Sequence, residues 1–249
     1  MLATLPILPA AAQEGSGTGW ERVGRAARQA ALSPRTWAPL LGALALRVGD
    51  ADHKLQSWAA EHTPLFGSQA SADARSDDFK RLANGLWIAS ALWPREAEPP
   101  GDWLADRAQV LLVQGSARLV TSKVVGELKE ETARMRPNGA GPTSFPSDHA
   151  TRVALYTTFT RDNVQRLGWS ERSVGQVSLG LDALTGATAW ARIEADQHYP
   201  SDVLAGMALG HFMGAFFDAA FLPAQAAGSV QVQLLPQRRQ FALQLHLAF

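Results

Sequence analysis

Apolar residues recur at helical spacing over most of this chain and alternate at strand spacing only near its end. The helical pattern begins near Trp20. Asp50 or Asp52 stands where it can cap a helix whose Leu55, Trp58 and Ala59 share one face. The stretch from Thr63 to Asp78 is small and polar and reads as a loop, and Phe79 to Trp93 reads as a helix that Pro94 stops. After a second loop, PREAEPPGD, the chain is helical again from Trp103 to Met135. It should end at Arg136, because Pro137 disfavours the α conformation in the residue before it. Further helices are expected from about Pro146 to Thr160, from a cap at Ser170 through Leu179 and Leu184 towards Trp190, and from about Pro200 to just before Pro223.

The period changes at the C-terminus. Val230, Val232 and Leu234 alternate with polar residues, as do Leu243, Leu245, Leu247 and Phe249, which predicts a β-hairpin turning at Pro236 to Gln240. The domain reading is therefore a signal-like or disordered segment over 1–19, one helical domain over 20–223 and a hairpin appendage over 224–249. In the first segment a short apolar stretch runs into Ala10-Ala11-Ala12, a small-residue cleavage pattern without the usual basic opening, and export to the periplasm or cell envelope is the expectation. Val203 to Leu222 reaches the length of a membrane span, but His211 and Asp218 interrupt it and are costly in hydrocarbon, so a buried core helix is the better reading.

Composition narrows the chemistry. The chain has 249 residues, enough for a sizeable core, with 23 basic and 23 acidic side chains and no net charge. No global field recruits nucleic acid or an anionic surface, so any anion site must be built locally. The absence of cysteine removes disulfides, thiolate nucleophiles and cysteine-ligated metals together.

Three clusters carry candidate chemistry. Lys129 and Arg136 lie seven residues apart, two turns along one helix face, where two cations can grip one anion; Glu130, Glu131 and Arg134 equally suit a solvated face. In SFPSDHA, Pro146 suits a first helical position, the N–H groups of Ser147 and Asp148 would then be unpaired at a helix start, and His149 adds a group that titrates near neutrality. In ARIEADQHYPSD, a helix beginning at Pro200 places Asp202 in its first turn, able to reach back and accept a hydrogen bond from His198, while Arg192 supplies a third cation. A capped helix with a surface histidine, or a structural His–Asp pair, explains each cluster taken alone.

Taken together, Lys129, Arg136-Pro137, Pro146-Ser147, His149, Arg192, His198 and Asp202 reproduce in order the signature Lys-x6-Arg-Pro, Pro-Ser-x-His, Arg-x5-His-x3-Asp. The chain resembles the type 2 phosphatidic acid phosphatase superfamily, which also holds bacterial class A acid phosphatases and vanadium haloperoxidases. The resemblance covers Lys129 to Asp202. It implies a mainly α fold, a helical bundle of the acid phosphatase and haloperoxidase type, and a metal-free, two-step phosphoryl transfer. It implies His198 as nucleophile, Asp202 as the residue that orients it, and His149 as the acid that protonates the leaving oxygen and later activates water. Lys129, Arg136 and Arg192 would bind the phosphoryl oxygens, with Ser147 and the backbone N–H of Asp148. Two guanidiniums, an ammonium and a helix N-terminus suit the charge of a transferring phosphoryl group without a metal.

No cofactor is expected, and vanadate is expected as an inhibitor. The substrate would be a phosphorylated small molecule or a lipid phosphate such as phosphatidic acid or an isoprenyl diphosphate. Lipid phosphatases of this superfamily usually carry about six spanning helices, a pattern this sequence does not show, and that favours a water-soluble body, with peripheral contact through Ala38 to Val48 or the hairpin. Two positions depart from the pattern: Asp148 stands in place of a glycine and Ala191 in place of a serine. A carboxylate beside a phosphate pocket repels substrate unless it turns away or finds a cation, although Ser-Asp-His also resembles members that hydrolyse undecaprenyl diphosphate. The alternatives are a vanadium-dependent haloperoxidase, with vanadate as cofactor, and a non-catalytic phosphate-binding relative. A serine hydrolase built on Ser147, His198 and Asp202 fits the surrounding cations less well.

Overall fold

The computed structural model describes residues 19–94 and 100–222, and the backbone of residues 231–237 and 240–246. Residues 1–18, where the signal-like segment was expected, lie outside the described residues. The helices are α1 (Gly19–Leu32), α2 (Pro34–Leu46), α3 (Ala51–His62), α4 (Gln69–Leu92), α5 (Pro100–Thr132), α6 (Asp148–Arg166), α7 (Glu171–Glu194) and α8 (Pro200–Phe221). The mainly helical architecture is as expected.

The core is organised around α6, which packs against α4, α7 and α8. Val153, Leu155, Tyr156 and Phe159 of α6 are buried. Trp87 of α4 stacks on Tyr156 with ring centroids 5.1 Å apart, and its indole N–H donates to Gln114 of α5 at 2.6 Å, so the aromatic pair is anchored at its polar edge.

One row of glycines sets the position of the site. Gly206, Gly210 and Gly214 fall on one face of α8. A Cβ at Gly206 would stand 2.7 Å from the Ser147 carbonyl oxygen, one at Gly210 2.1 Å from that of Thr151, and one at Gly214 2.9 Å from the Thr158 methyl. The two backbones touch, and the contacts advance together along both helices. α6 and α8 therefore run parallel, and their N-termini lie side by side. Although α8 is long and apolar enough to cross a membrane, 56% of its most apolar window is buried inside the bundle, in keeping with a core helix.

Four expectations need correction. The stretch from Thr63 to Asp78 is not one loop: α4 starts at Gln69, capped by the Ser68 hydroxyl, which accepts the Ser71 N–H at 3.1 Å. Small alanines and serines disguised these first turns, where Ala72 and Ser76 are the buried positions. Second, α5 stops at Thr132, earlier than Pro137 requires, because Ala133 takes a left-handed conformation with φ of 42° and turns the chain. Third, α6 begins at Asp148 with Ser147 as its cap, so Pro146 precedes the helix instead of opening it. Fourth, the hairpin appendage expected over 224–249 is not supported. The backbone pairs Gln231–Gln237 (β1) with Gln240–His246 (β2), but the side chains that would dock it lie outside the described residues.

Candidate active site

The paired N-termini of α6 and α8 open on a cleft of about 540 Å³ lined by Lys129, Arg136, Thr143, Asp148, His149, Arg192, Gln197 and His198, with Asp73 and Asp77 of α4. Every cation and both histidines singled out in the sequence reach this hollow. Lys129 and Arg136 do so by a different route than expected. Because α5 ends between them, they share no helix face; they meet across Thr143, Lys129 donating to its carbonyl and Arg136 Nε to its hydroxyl at 3.2 Å. Arg136 also donates to Gln197, and Arg192 to Asp73 and, at 2.9 Å, to Ser76.

His198 is 2% exposed. Its Nδ1 lies 2.7 Å from the Ser144 carbonyl oxygen, and a carbonyl can only accept, so Nδ1 carries a proton and, in the neutral ring, Nε2 keeps its lone pair. Burial, then the charges of Arg192, Lys129 and Arg136, hold the ring well below the ordinary histidine value of 6.5. Cations on this side favour the neutral imidazole over the imidazolium.

The expected hydrogen bond from His198 to Asp202 is absent. Asp202, fully buried, accepts the Tyr199 N–H at 3.0 Å, capping α8, and accepts from the Ser144 hydroxyl at 2.6 Å and from Arg134. It bears on His198 only through Ser144, whose carbonyl holds the ring. Arg134 was the missed member. Read as part of a solvated face, it is instead largely buried, donating to Asp202, to Ser201 at 2.8 Å and to Asp52 at 2.7 Å, with its guanidinium 4.1 Å from the centre of the Tyr199 ring. The left-handed turn at Ala133 sends it inward, which no helical wheel could reveal.

At the α6 end, Ser147 N–H is not free as expected but donates to the Asp202 carbonyl at 3.1 Å. The Ser147 hydroxyl and Arg192 Nε are buried without a hydrogen-bond partner, an uncommon state for polar atoms and one that a bound anion would relieve. Asp148 has found its cation: Arg152, one turn along α6, donates to it at 3.0 Å. His149 Nε2 lies 2.9 Å from Asp77 and 2.8 Å from the Lys80 ammonium. Burial and Arg192 lower its proton affinity, with Asp77 pulling the other way and Lys80 adding to the fall. The α4 residues Asp73, Ser76, Asp77 and Lys80 were missed with the start of their helix; their spacing of three, four and seven is the signal that places them on one face. Among the described residues no group of three or more His, Asp or Glu side chains is placed to hold a metal ion.

A helical bundle with two histidines and three cations at the joined starts of two parallel helices defines the class of site. Residues 109–222, which contain all three motifs, match the family model described as the PAP2 superfamily, so the likeness read from the motifs holds over the segment that carries them. A similar fold is seen in the crystal structure of the first transmembrane PAP2 type phosphatidylglycerolphosphate phosphatase from Bacillus subtilis, with a TM-score of 0.53 and 20% identity over 75% of this chain and 95% of that one. None of the curated proteins matches the chain.

Proposed function

We propose that the protein is a metal-independent phosphatase of lipid phosphates or related phosphomonoesters and diphosphates, working through a phosphohistidine on His198. The observation that carries this reading is the convergence of Lys129, Arg136 and Arg192 on the cleft of His198, whose Nδ1 is held by the Ser144 carbonyl so that Nε2 of the neutral ring is the atom left to attack. In the first step Nε2 attacks phosphorus, the bond from phosphorus to the ester oxygen breaks, and His149 gives that oxygen its proton. In the second, water attacks phosphorus, the P–N bond breaks, and His149 takes the proton of the water. The three cations and the start of α6 hold the equatorial oxygens, whose charge is what such an enzyme must stabilise. Asp202 acts as a positioning residue through Ser144.

A lipid substrate is supported by the likeness to a phosphatidylglycerolphosphate phosphatase, and peripheral membrane contact by α2, which exposes Trp37, Leu40, Leu41 and Leu44. A place at the cell envelope goes with both. The direct test is phosphate release from phosphatidic acid, an isoprenyl diphosphate and small phosphomonoesters, with and without detergent. Activity should survive EDTA, and vanadate should inhibit competitively as a five-coordinate mimic of the phosphoryl group in transfer. Loss in EDTA with recovery on adding zinc or magnesium would sink the mechanism.

The pH dependence has a definite sign. His198 must be neutral to attack and His149 must hold a proton to give, and both lie below 6.5, His198 the further displaced. Thus kcat/KM rises as His198 loses its proton and falls as His149 loses its own, peaking at acidic pH. A profile measured on glycerol phosphate that peaks on the alkaline side would contradict the assignment.

A further inference from the structure

His149 Nε2 faces two α4 side chains of opposite kind, the Asp77 carboxylate at 2.9 Å and the Lys80 ammonium at 2.8 Å, themselves joined at 2.8 Å. One nitrogen cannot serve both in one state. With a proton on Nε2 it donates to Asp77 and repels Lys80; with Nε2 bare it accepts from Lys80 and repels Asp77. We infer that Asp77 and Lys80 are opposed positioning residues, which between them select the tautomer of His149 and the pH range in which it carries its transferable proton.

This inference rests on the phosphatase reading for its consequence, not for its geometry. With Nε2 engaged by α4, the nitrogen left for proton exchange with substrate and water is Nδ1. Asp77 favours the form that the cycle needs: the imidazolium, with Nε2–H on Asp77 and Nδ1–H for the leaving oxygen. After that transfer the ring is neutral with its proton still on Nε2, and Nδ1 is bare to receive the proton of water. Lys80 favours the opposite tautomer, in which Nδ1 cannot act as base.

The other charges around the ring leave this pair as its local control. Asp73 is engaged by Arg192, and Asp148 by Arg152 on the ring's own helix. Arg192 presses the proton off the ring from α7, while Lys129, Arg136 and the neutral His198 line the same cleft. Asp77 is held ionised by its hydrogen bonds to Lys80 and His149, below the usual carboxylate range, so it keeps its charge wherever the histidine titrates.

The test compares wild type with Asp77→Asn, Asp77→Glu and Lys80→Met in the full chain. The titration of His149 is followed by nitrogen NMR of histidine-labelled protein, its signals assigned by their loss in His149→Gln. Asp77→Asn should lower the midpoint and Lys80→Met should raise it, each by about half a pH unit, as expected for one partly exposed neighbouring charge. Asp77→Glu should restore the wild-type value. On glycerol phosphate the alkaline limb of kcat should move with the midpoint, about threefold in rate at a fixed pH on that limb. Midpoints that stay put, or that move the same way in both variants, overturn the inference; Lys80→Met decides alone if Asp77→Asn does not fold. The phosphatase reading fails separately: if wild type releases no more phosphate than His198→Gln while the midpoints still split, the coupling stands and the reading falls.

Discussion

His198→Gln is expected to reduce phosphate release by at least about a thousandfold, the scale of losing a covalent nucleophile and not a binding contact. The fold should survive. Glutamine can still donate an N–H to the Ser144 carbonyl, which accepts from Nδ1 at 2.7 Å in the native protein, but it has no lone pair to offer phosphorus. The loss should fall on kcat and leave KM for a good substrate little changed, since the three cations remain. Phosphate release and thermal melting measured together separate chemistry from folding. A phosphoryl adduct on wild type, trapped under alkaline conditions and mapped by peptide mass spectrometry, should sit on His198. Retained turnover in the variant, or an adduct on another residue, would remove His198 from its role.

Arg134→Ala is expected to have the largest effect on stability, about 3 to 5 kcal/mol, the usual result of removing one partner from a buried ionic network. Arg134 is 15% exposed and stands between Asp52 at 4% and Asp202 at 0%. Without it two carboxylates are left in the interior close to each other, with Ser201 and Ser144 as their remaining side-chain donors. For a body of this size the loss corresponds to a fall in Tm of roughly 10 °C. Arg134→Lys should recover only part, because an ammonium cannot span Asp52 and Asp202 as the planar guanidinium does. Pairing Arg134→Met with Asp52→Asn should recover more than Arg134→Met alone, since one stranded charge is removed. If melting of Arg134→Ala matches wild type, the network is not what holds α3, α8 and the turn after α5 together.

The two substitutions probe residues of very different visibility. His198, His149, Lys129, Arg136 and Arg192 were legible because each carries its chemistry in its side chain and the spacings are fixed along the chain. Asp202 was half legible. Its place in the first turn of α8 followed from Pro200, but a carboxylate there has several donors within reach, and the nearest were the Tyr199 N–H and the Ser144 hydroxyl instead of the imidazole. Arg134 and the α4 face were not read. Arg134 looks solvated on a continued helix and turns inward only because Ala133 leaves the helical conformation. Asp73 and Asp77 sit in a run of small polar residues whose local preference is ambiguous between loop and helix, and only the packing of Ala72, Ser76 and Ala83 against the body settles it.

Alone, the amino-acid sequence determined the helical character of most of the described body, the starts of α7 and α8 and the kinds of groups available for chemistry, since these depend on neighbours a few positions away. Tertiary structure decided which partner each group takes. Arg192 meets Asp73 across 119 positions and Ser144 meets Asp202 across 58, and it is the glycine face of α8 against α6 that brings the two helix starts together. Hydrogen bonds and ion pairs act over a few ångströms, so the protonation state of each histidine is set by whatever the fold packs beside it.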